Sequence, residues 1–204
     1  MKRHLIFSVI VVSSFLGTSC GGNKEKEEQE DKAEKTAVDA IQQFADKAKD
    51  LQGKEKVEPI DFRKLKELLP EEIDGFKRTE FSGEKNGAVG FTISTAQARY
   101  KKGADSSIKI EILDTGGLAG MTTMALAAWT MADIDKETES GYEKTTTLEG
   151  YKAFEKYNNN SKSGELNVLV ADRYIVNVDG NDVTIEELKE ILGDLDLKKL
   201  ADLK

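Results

Sequence analysis

Histidine and cysteine are almost missing from this chain. It contains one of each, and both, His4 and Cys20, fall within its first twenty positions. Without histidine further on, the chain has no Ser-His-Asp or Cys-His machinery to offer. It lacks the side chain that most often moves protons near neutral pH. It also lacks the usual nitrogen and sulfur ligands of zinc. A single thiol forms no disulfide within the chain. Positive charge is short as well, with 30 lysines and arginines against 38 acids and a net charge of −8. That balance argues against a nucleic-acid partner, which requires basic surface to meet phosphates. No apolar run approaches the roughly 20 residues of a membrane-spanning helix. No motif implies a metal or a cofactor, and the chain reads as a non-enzyme.

The N-terminus carries an address. Met1-Lys2-Arg3-His4 is a short basic start, Leu5–Leu16 an apolar run, and Gly17-Thr18-Ser19-Cys20 a small-residue exit. Together they form a secretory signal. The exit resembles the lipobox of bacterial lipoproteins, in which small residues precede a cysteine that is diacylated and becomes the new N-terminus. Thr18, Ser19 and Cys20 match that pattern, while Gly17 stands where a branched residue is usual. The resemblance implies lipidation of Cys20, with palmitate-type chains holding the protein to a membrane. Gly21, rather than aspartate, follows the cysteine, and by analogy this implies the outer membrane. Which side of that membrane the protein faces stays open. Ordinary cleavage near Ser19 is the alternative, and it would leave an odd exported thiol. Removing residues 1–19 takes away Lys2 and Arg3, leaving 28 bases against 38 acids and a net charge of −10.

Residues 20–35 read as an acidic flexible tether, with no aromatic or branched aliphatic side chain to bury. Residues 36–58 read as an amphipathic helix and linker. Ala37, Ile41, Phe44, Ala48 and Leu51 repeat with a period of about 3.5. That seam suits either self-association or packing on the chain's own domain.

Residues 59–204 read as one globular domain. Asp61 caps a short helix whose Phe62, Leu65, Leu68 and Leu69 share a face, and Pro70 ends it. Strands are expected at Phe76–Phe81, Gly90–Tyr100, Ile108–Ile112, Tyr142–Leu148, Tyr151–Tyr157, Leu166–Ala171 and Tyr174–Val178. Ile108-Lys109-Ile110-Glu111-Ile112 alternates cleanly, which implies a sheet with one wet face and mostly antiparallel pairing. Glu149-Gly150 marks a hairpin turn. Leu118–Ile134 reads as a buried apolar helix. At the end, Thr184-Ile185-Glu186-Glu187 is a capping box. Ile185, Leu188, Ile191 and Leu192 form the stripe of the helix that follows. Leu195, Leu197, Leu200 and Leu203 lie in a last turn. The expected class is α+β, with a mostly antiparallel sheet against the 118–134 helix and C-terminal helices.

Candidate chemistry is sparse. Met121, Met124 and Trp129 suggest a pliable apolar ligand pocket under the 118–134 helix, or plain core. Asp114-Thr115-Gly116 resembles the catalytic triplet of aspartic proteases, which work with two such aspartates. One copy implies a hydrolase only through a dimer or another acid; otherwise it is a strand-to-helix turn. Ser82–Lys85 and Ser106–Lys109 match a Ser-x-x-Lys spacing, but in strand or turn sequence. Asp179-Gly180-Asn181-Asp182 groups oxygen donors of the kind calcium takes, without EF-hand spacing, and also suits a turn. Asn159-Asn160-Ser161 has a glycosylation pattern. The expected function is therefore an exported, lipid-anchored binding domain for an envelope protein partner or a small apolar ligand. The alternatives are a carboxylate-dependent envelope hydrolase using Asp114, or a self-associating structural lipoprotein.

Overall fold

A computed structural model of the chain describes residues 57–88, 91–117 and 128–203. They all belong to one unit, Phe44–Lys204. Cys20, the tether and the 36–52 helix lie outside the described residues.

Among the described residues, thirteen elements follow one another. Helix α1 (Phe62–Lys66) precedes strands β1 (Glu72–Ile73), β2 (Phe76–Ala88), β3 (Phe91–Lys102) and β4 (Ser106–Asp114). A short helix α2 (Ala128–Met131) leads to β5 (Asp135–Thr138), β6 (Gly141–Leu148), β7 (Tyr151–Asn158), β8 (Ser163–Val170) and β9 (Tyr174–Asn181). Helices α3 (Ile185–Gly193) and α4 (Leu197–Asp202) close the fold. The nine strands form a single sheet in the order β1-β2-β3-β4-β9-β8-β7-β6-β5, and every pairing is antiparallel. Two meanders are thus stitched together where β4 meets β9.

One face of the sheet holds the main core. Ile108, Ile110 and Ile112 of β4 lie beside Val176 and Val178 of β9 and Leu166 and Val168 of β8, all buried. Alternation places them on one side, and helices α1, α3 and α4 cover them. Asp61 caps α1 by accepting from the Arg63 amide. At α3, the Thr184 side chain accepts from the Glu187 amide and the Glu187 carboxylate accepts from the Thr184 amide. The stripe Ile185, Leu188, Ile191 and Leu192 is buried as its spacing requires.

Helix α3 comes close to the sheet because the strands beneath it are bare. Gly164 of β8 lies directly opposite Gly180 of β9. A Cβ at Gly164 would meet Leu188 Cδ1 at 2.6 Å, and one at Gly180 would meet Leu188 Cδ2 at 2.7 Å. The Leu188 side chain therefore occupies a notch that only two glycines leave open.

The fold differs from the α+β expectation in proportion. It is mostly β, a nine-stranded antiparallel sheet with a few short helices. The predicted 118–134 helix is described only from Ala128 to Met131, and Ala132–Ile134 leave helical geometry as the chain turns toward β5. Residues 118–127, with Met121 and Met124, lie outside the described residues. Strand β2 continues seven residues past Phe81, carried by its long pairing with β3 through a polar sequence that offers no periodicity. Strand β5, Asp-Lys-Glu-Thr, is exposed along its length at the sheet edge, where charge discourages edge-to-edge association.

Candidate functional site

The second face of the sheet has no helix across most of its width among the described residues, and its side chains are arranged in rows. At the end near the β4 C-terminus, Leu113, Ile175 and Leu169 stand side by side and pack with Trp129 of α2 into a small separate cluster. Trp129 is 8% exposed. It packs against Leu113, Leu169 and Ile175, with Ile134 and Phe154 partly buried beside them. The next row is made of amides and acids: Gln97, Glu111, Asn177 and Asn167. Asn177 donates to Glu111 at 3.3 Å, while its Oδ1 is buried with no hydrogen-bond partner among the described residues.

One step further, a charged row crosses eight strands. Glu80, Arg99, Lys109, Asp179, Glu165, Lys156, Glu143 and Lys136 are successive cross-strand neighbours from β2 to β5. Ion pairs link Arg99 to Glu80 at 3.1 Å, Lys109 to Asp179 at 2.7 Å and Lys136 to Glu143 at 2.9 Å. Lys136 beside Glu143 holds that carboxyl below its ordinary range. Like charges nevertheless face each other twice, Arg99 against Lys109 and Asp179 against Glu165, an arrangement that destabilises a ladder unless flanking charges offset it.

Three shallow cavities lie along this row. The first, about 410 Å³, reaches from Glu80 to Asn181. The second, about 210 Å³, shares Asp179 and Asn181 with it. The third, about 180 Å³, shares Lys156 and Asn158 with the second. They form one trough across the strands, roughly 34 Å long at about 4.8 Å per strand. Its walls are charged and polar side chains.

Of the residues singled out from sequence, Lys109, Asp179 and Asn181 line the trough, and Asp114 stands elsewhere. Asp114 is fully buried. Its Oδ1 accepts from the Gly116 amide at 2.9 Å and Arg173 Nε at 3.0 Å. Its Oδ2 accepts from the Ile60 amide at 2.9 Å and Arg173 Nη2 at 2.7 Å. A hydrolytic aspartate needs a free lone pair toward substrate, and this carboxylate presents four filled contacts. The Asp114 hydrogen bonds in turn hold the Arg173 guanidinium above its ordinary pKa. The triplet forms a turn, with Gly116 at φ +71° and no room for a Cβ, which would meet Val57 O at 2.2 Å. Arg173 also donates to Glu58 O at 3.3 Å, and Lys85 Nζ to Pro59 O at 2.9 Å. These contacts make the 57–60 segment a strap across one end of the sheet.

Asp179, Gly180 and Asn181 belong to β9 and not to the turn that the sequence suggested; only Asp182 leaves the strand. Asp179 is taken by Lys109, while Asp182 pairs with Lys162 at 3.9 Å, so the two acids serve different partners. The Glu149-Gly150 hairpin turn is present, both residues having positive φ.

A buried polar cluster went unnoticed in the sequence. Glu155 of β7 is 1% exposed. It accepts from the Tyr142 hydroxyl and from Lys189 Nζ of α3 at 3.0 Å, with Lys144 at 3.7 Å. Its only signal was an acid on the apolar side of an alternating strand. Burial, and then the hydrogen bond to Glu155, pushes the Tyr142 phenol well above its ordinary range. Burial also pushes Tyr100 up to about 12, and raises Tyr174 and Tyr157. Their neutral forms are the native ones. The stability they contribute is complete below pH about 10, where unfolded tyrosine begins to ionise, and is lost as pH climbs toward about 12. In an alkaline titration, phenolate absorbance from these tyrosines is expected only as the β-sheet circular dichroism collapses. The chain has five tyrosines and four are raised, so phenolate from more than one of them at the ordinary midpoint in a folded protein would contradict the burial.

No protein-family model matches the chain, and no curated protein or solved structure matches it either.

Proposed function

We propose that this protein is an exported lipoprotein that binds and does not catalyse. It is held to the outer membrane through lipid on Cys20 and turns the open face of its sheet toward a protein partner in the envelope. The observation that carries this reading is the placement of two features along the strands. The described chain begins at the strap beside Asp114, and the trough crosses the sheet at Lys109, five residues away on the same strand. At about 3.4 Å per residue that is about 17 Å. A domain tethered at the strap therefore holds its trough away from the point of attachment. The polar walls of the trough favour a protein surface over a small apolar ligand, since apolar ligands select apolar pockets. Residues 21–204 contain neither histidine nor cysteine, which supports a binding role.

The test places a photo-crosslinking residue at Lys156, in the trough, or at Glu190, exposed on the helix-covered side, in the lipidated protein in living cells. A discrete adduct is expected from Lys156, none from Glu190, and loss of both the adduct and acyl labelling in Cys20→Ser. Equal adducts from both positions, or none, would sink the partner reading, and acyl labelling that survives Cys20→Ser would sink the anchor.

A further inference from the structure

We propose that the β3–β4–β9 end of the trough is an oxyanion subsite, built on Lys101, Ser107 and Asn181, that takes a phosphate monoester. It rests on the open face being the binding face. The three residues are direct cross-strand neighbours, Lys101 opposite Ser107 and Ser107 opposite Asn181. All three line the cavity of about 410 Å³. Among the described residues, none of their side chains has a hydrogen-bond or ion-pair partner, whereas the other charged side chains there are engaged. Arg99 is held by Glu80 and Lys109 by Asp179. Among the described residues that line the cavity, Lys101 is thus the charge left uncompensated, in a chain whose net charge is −8.

The donor set has a chemistry. An ammonium, a hydroxyl and a carboxamide offer several N–H and O–H donors in one line. Arg99 and Lys109 stand one step behind them along β3 and β4, but Glu80 and Asp179 neutralise them, so Lys101 supplies the positive charge. A phosphate monoester brings three strong acceptor oxygens and close to two negative charges at neutral pH. A carboxylate can meet the same donors but brings only one charge, so it gains less from Lys101. Exposed charges are screened by salt, so one phosphate binds weakly, in the millimolar range, and a partner or ligand touching more of the trough gains from multivalency. The phosphate can come from a soluble molecule or from a lipid headgroup.

The experiment follows thermal unfolding of the full-length protein in detergent against inorganic phosphate, with sodium chloride matching the ionic strength. A saturable rise in Tm is expected, with its midpoint moved at least tenfold by Lys101→Gln and severalfold by Ser107→Ala. Lys136→Gln, at the far end of the trough, should leave the midpoint in place. A rise reproduced by chloride, or one indifferent to Lys101→Gln, overturns the subsite. Sedimentation of the Cys20→Ser chain with phosphatidylcholine vesicles carrying phosphatidic acid separates the sources. Retention lost in Lys101→Gln supports a headgroup, and a phosphate response without retention supports a soluble ligand. A lost phosphate response beside an intact Lys156 adduct overturns the subsite alone; the reverse pattern overturns the protein partner alone.

Discussion

Arg173→Ala is expected to cost about 3–5 kcal/mol of folding stability, because it strands a buried carboxylate. Asp114 has no exposed surface and takes two of its four hydrogen bonds from that guanidinium. Without it the aspartate keeps only the Ile60 and Gly116 amides as partners, and a buried carboxylate with half its contacts gone penalises the native state. The loss is large against a typical total of about 5–15 kcal/mol. Arg173→Lys keeps the charge and gives up the two-pronged geometry, so an intermediate loss is expected. Asp114→Asn should also destabilise, since a carboxamide turns one donor toward groups that are all donors. Urea unfolding of the three variants is the measurement. A loss under about 1 kcal/mol for Arg173→Ala would mean that the clamp does not hold the strap.

Leu188→Ala is expected to cost about 2–5 kcal/mol, the range for a leucine removed from a packed interior. Leu188 is fully buried and lies over the notch between Gly164 and Gly180. Gly164→Ala attacks the same contact from below. Its Cβ would come within 2.6 Å of Leu188 Cδ1 and 3.0 Å of Tyr157 Cδ2, an overpacking cost of about 1–3 kcal/mol. The two changes should not add. With Leu188 shortened, the new methyl group has space, and part of each loss is recovered in the double variant. A double-mutant cycle in urea reads the coupling. Strict additivity would show that α3 does not rest on the glycine notch.

Much of the sheet was legible before any coordinate. Ile108, Ile110 and Ile112 alternate with charges because one face of β4 meets helices and the other meets the trough. The capping box at Thr184 and the turn at Glu149-Gly150 were readable because each depends on a few adjacent residues. The same locality explains the errors. Gly83–Ala88 has no apolar period and pairs with β3 only because a hairpin extends the ladder. Asp179-Gly180-Asn181 looks like a turn by composition, yet β4 and β8 hold it in register.

Little of the candidate site was legible: Lys109, Asp179 and Asn181 stood out only for a Ser-x-x-Lys spacing and a cluster of oxygen donors, not as parts of one row. Each of its residues is an ordinary charged or polar position on an alternating strand, and Lys101, Ser107 and Asn181 span eighty residues of sequence. Only the antiparallel order β3-β4-β9 puts them in one row. Asp114 shows the opposite case. Its triplet attracted attention by local likeness, and its partners Ile60 and Arg173, both distant in sequence, turned it into a clamp.

By itself the sequence determined the chain's chemical means: neither histidine nor cysteine after residue 20, an acidic balance, strands that alternate and helices that cap. These follow from composition and short-range periodicity, which act within a turn or a strand. The tertiary structure decided which alternating faces became neighbours, which carboxylates were buried and which cations were left unpaired. Those outcomes depend on strand order and register. Hydrogen-bond ladders between distant segments set that order, and local sequence carries no record of it.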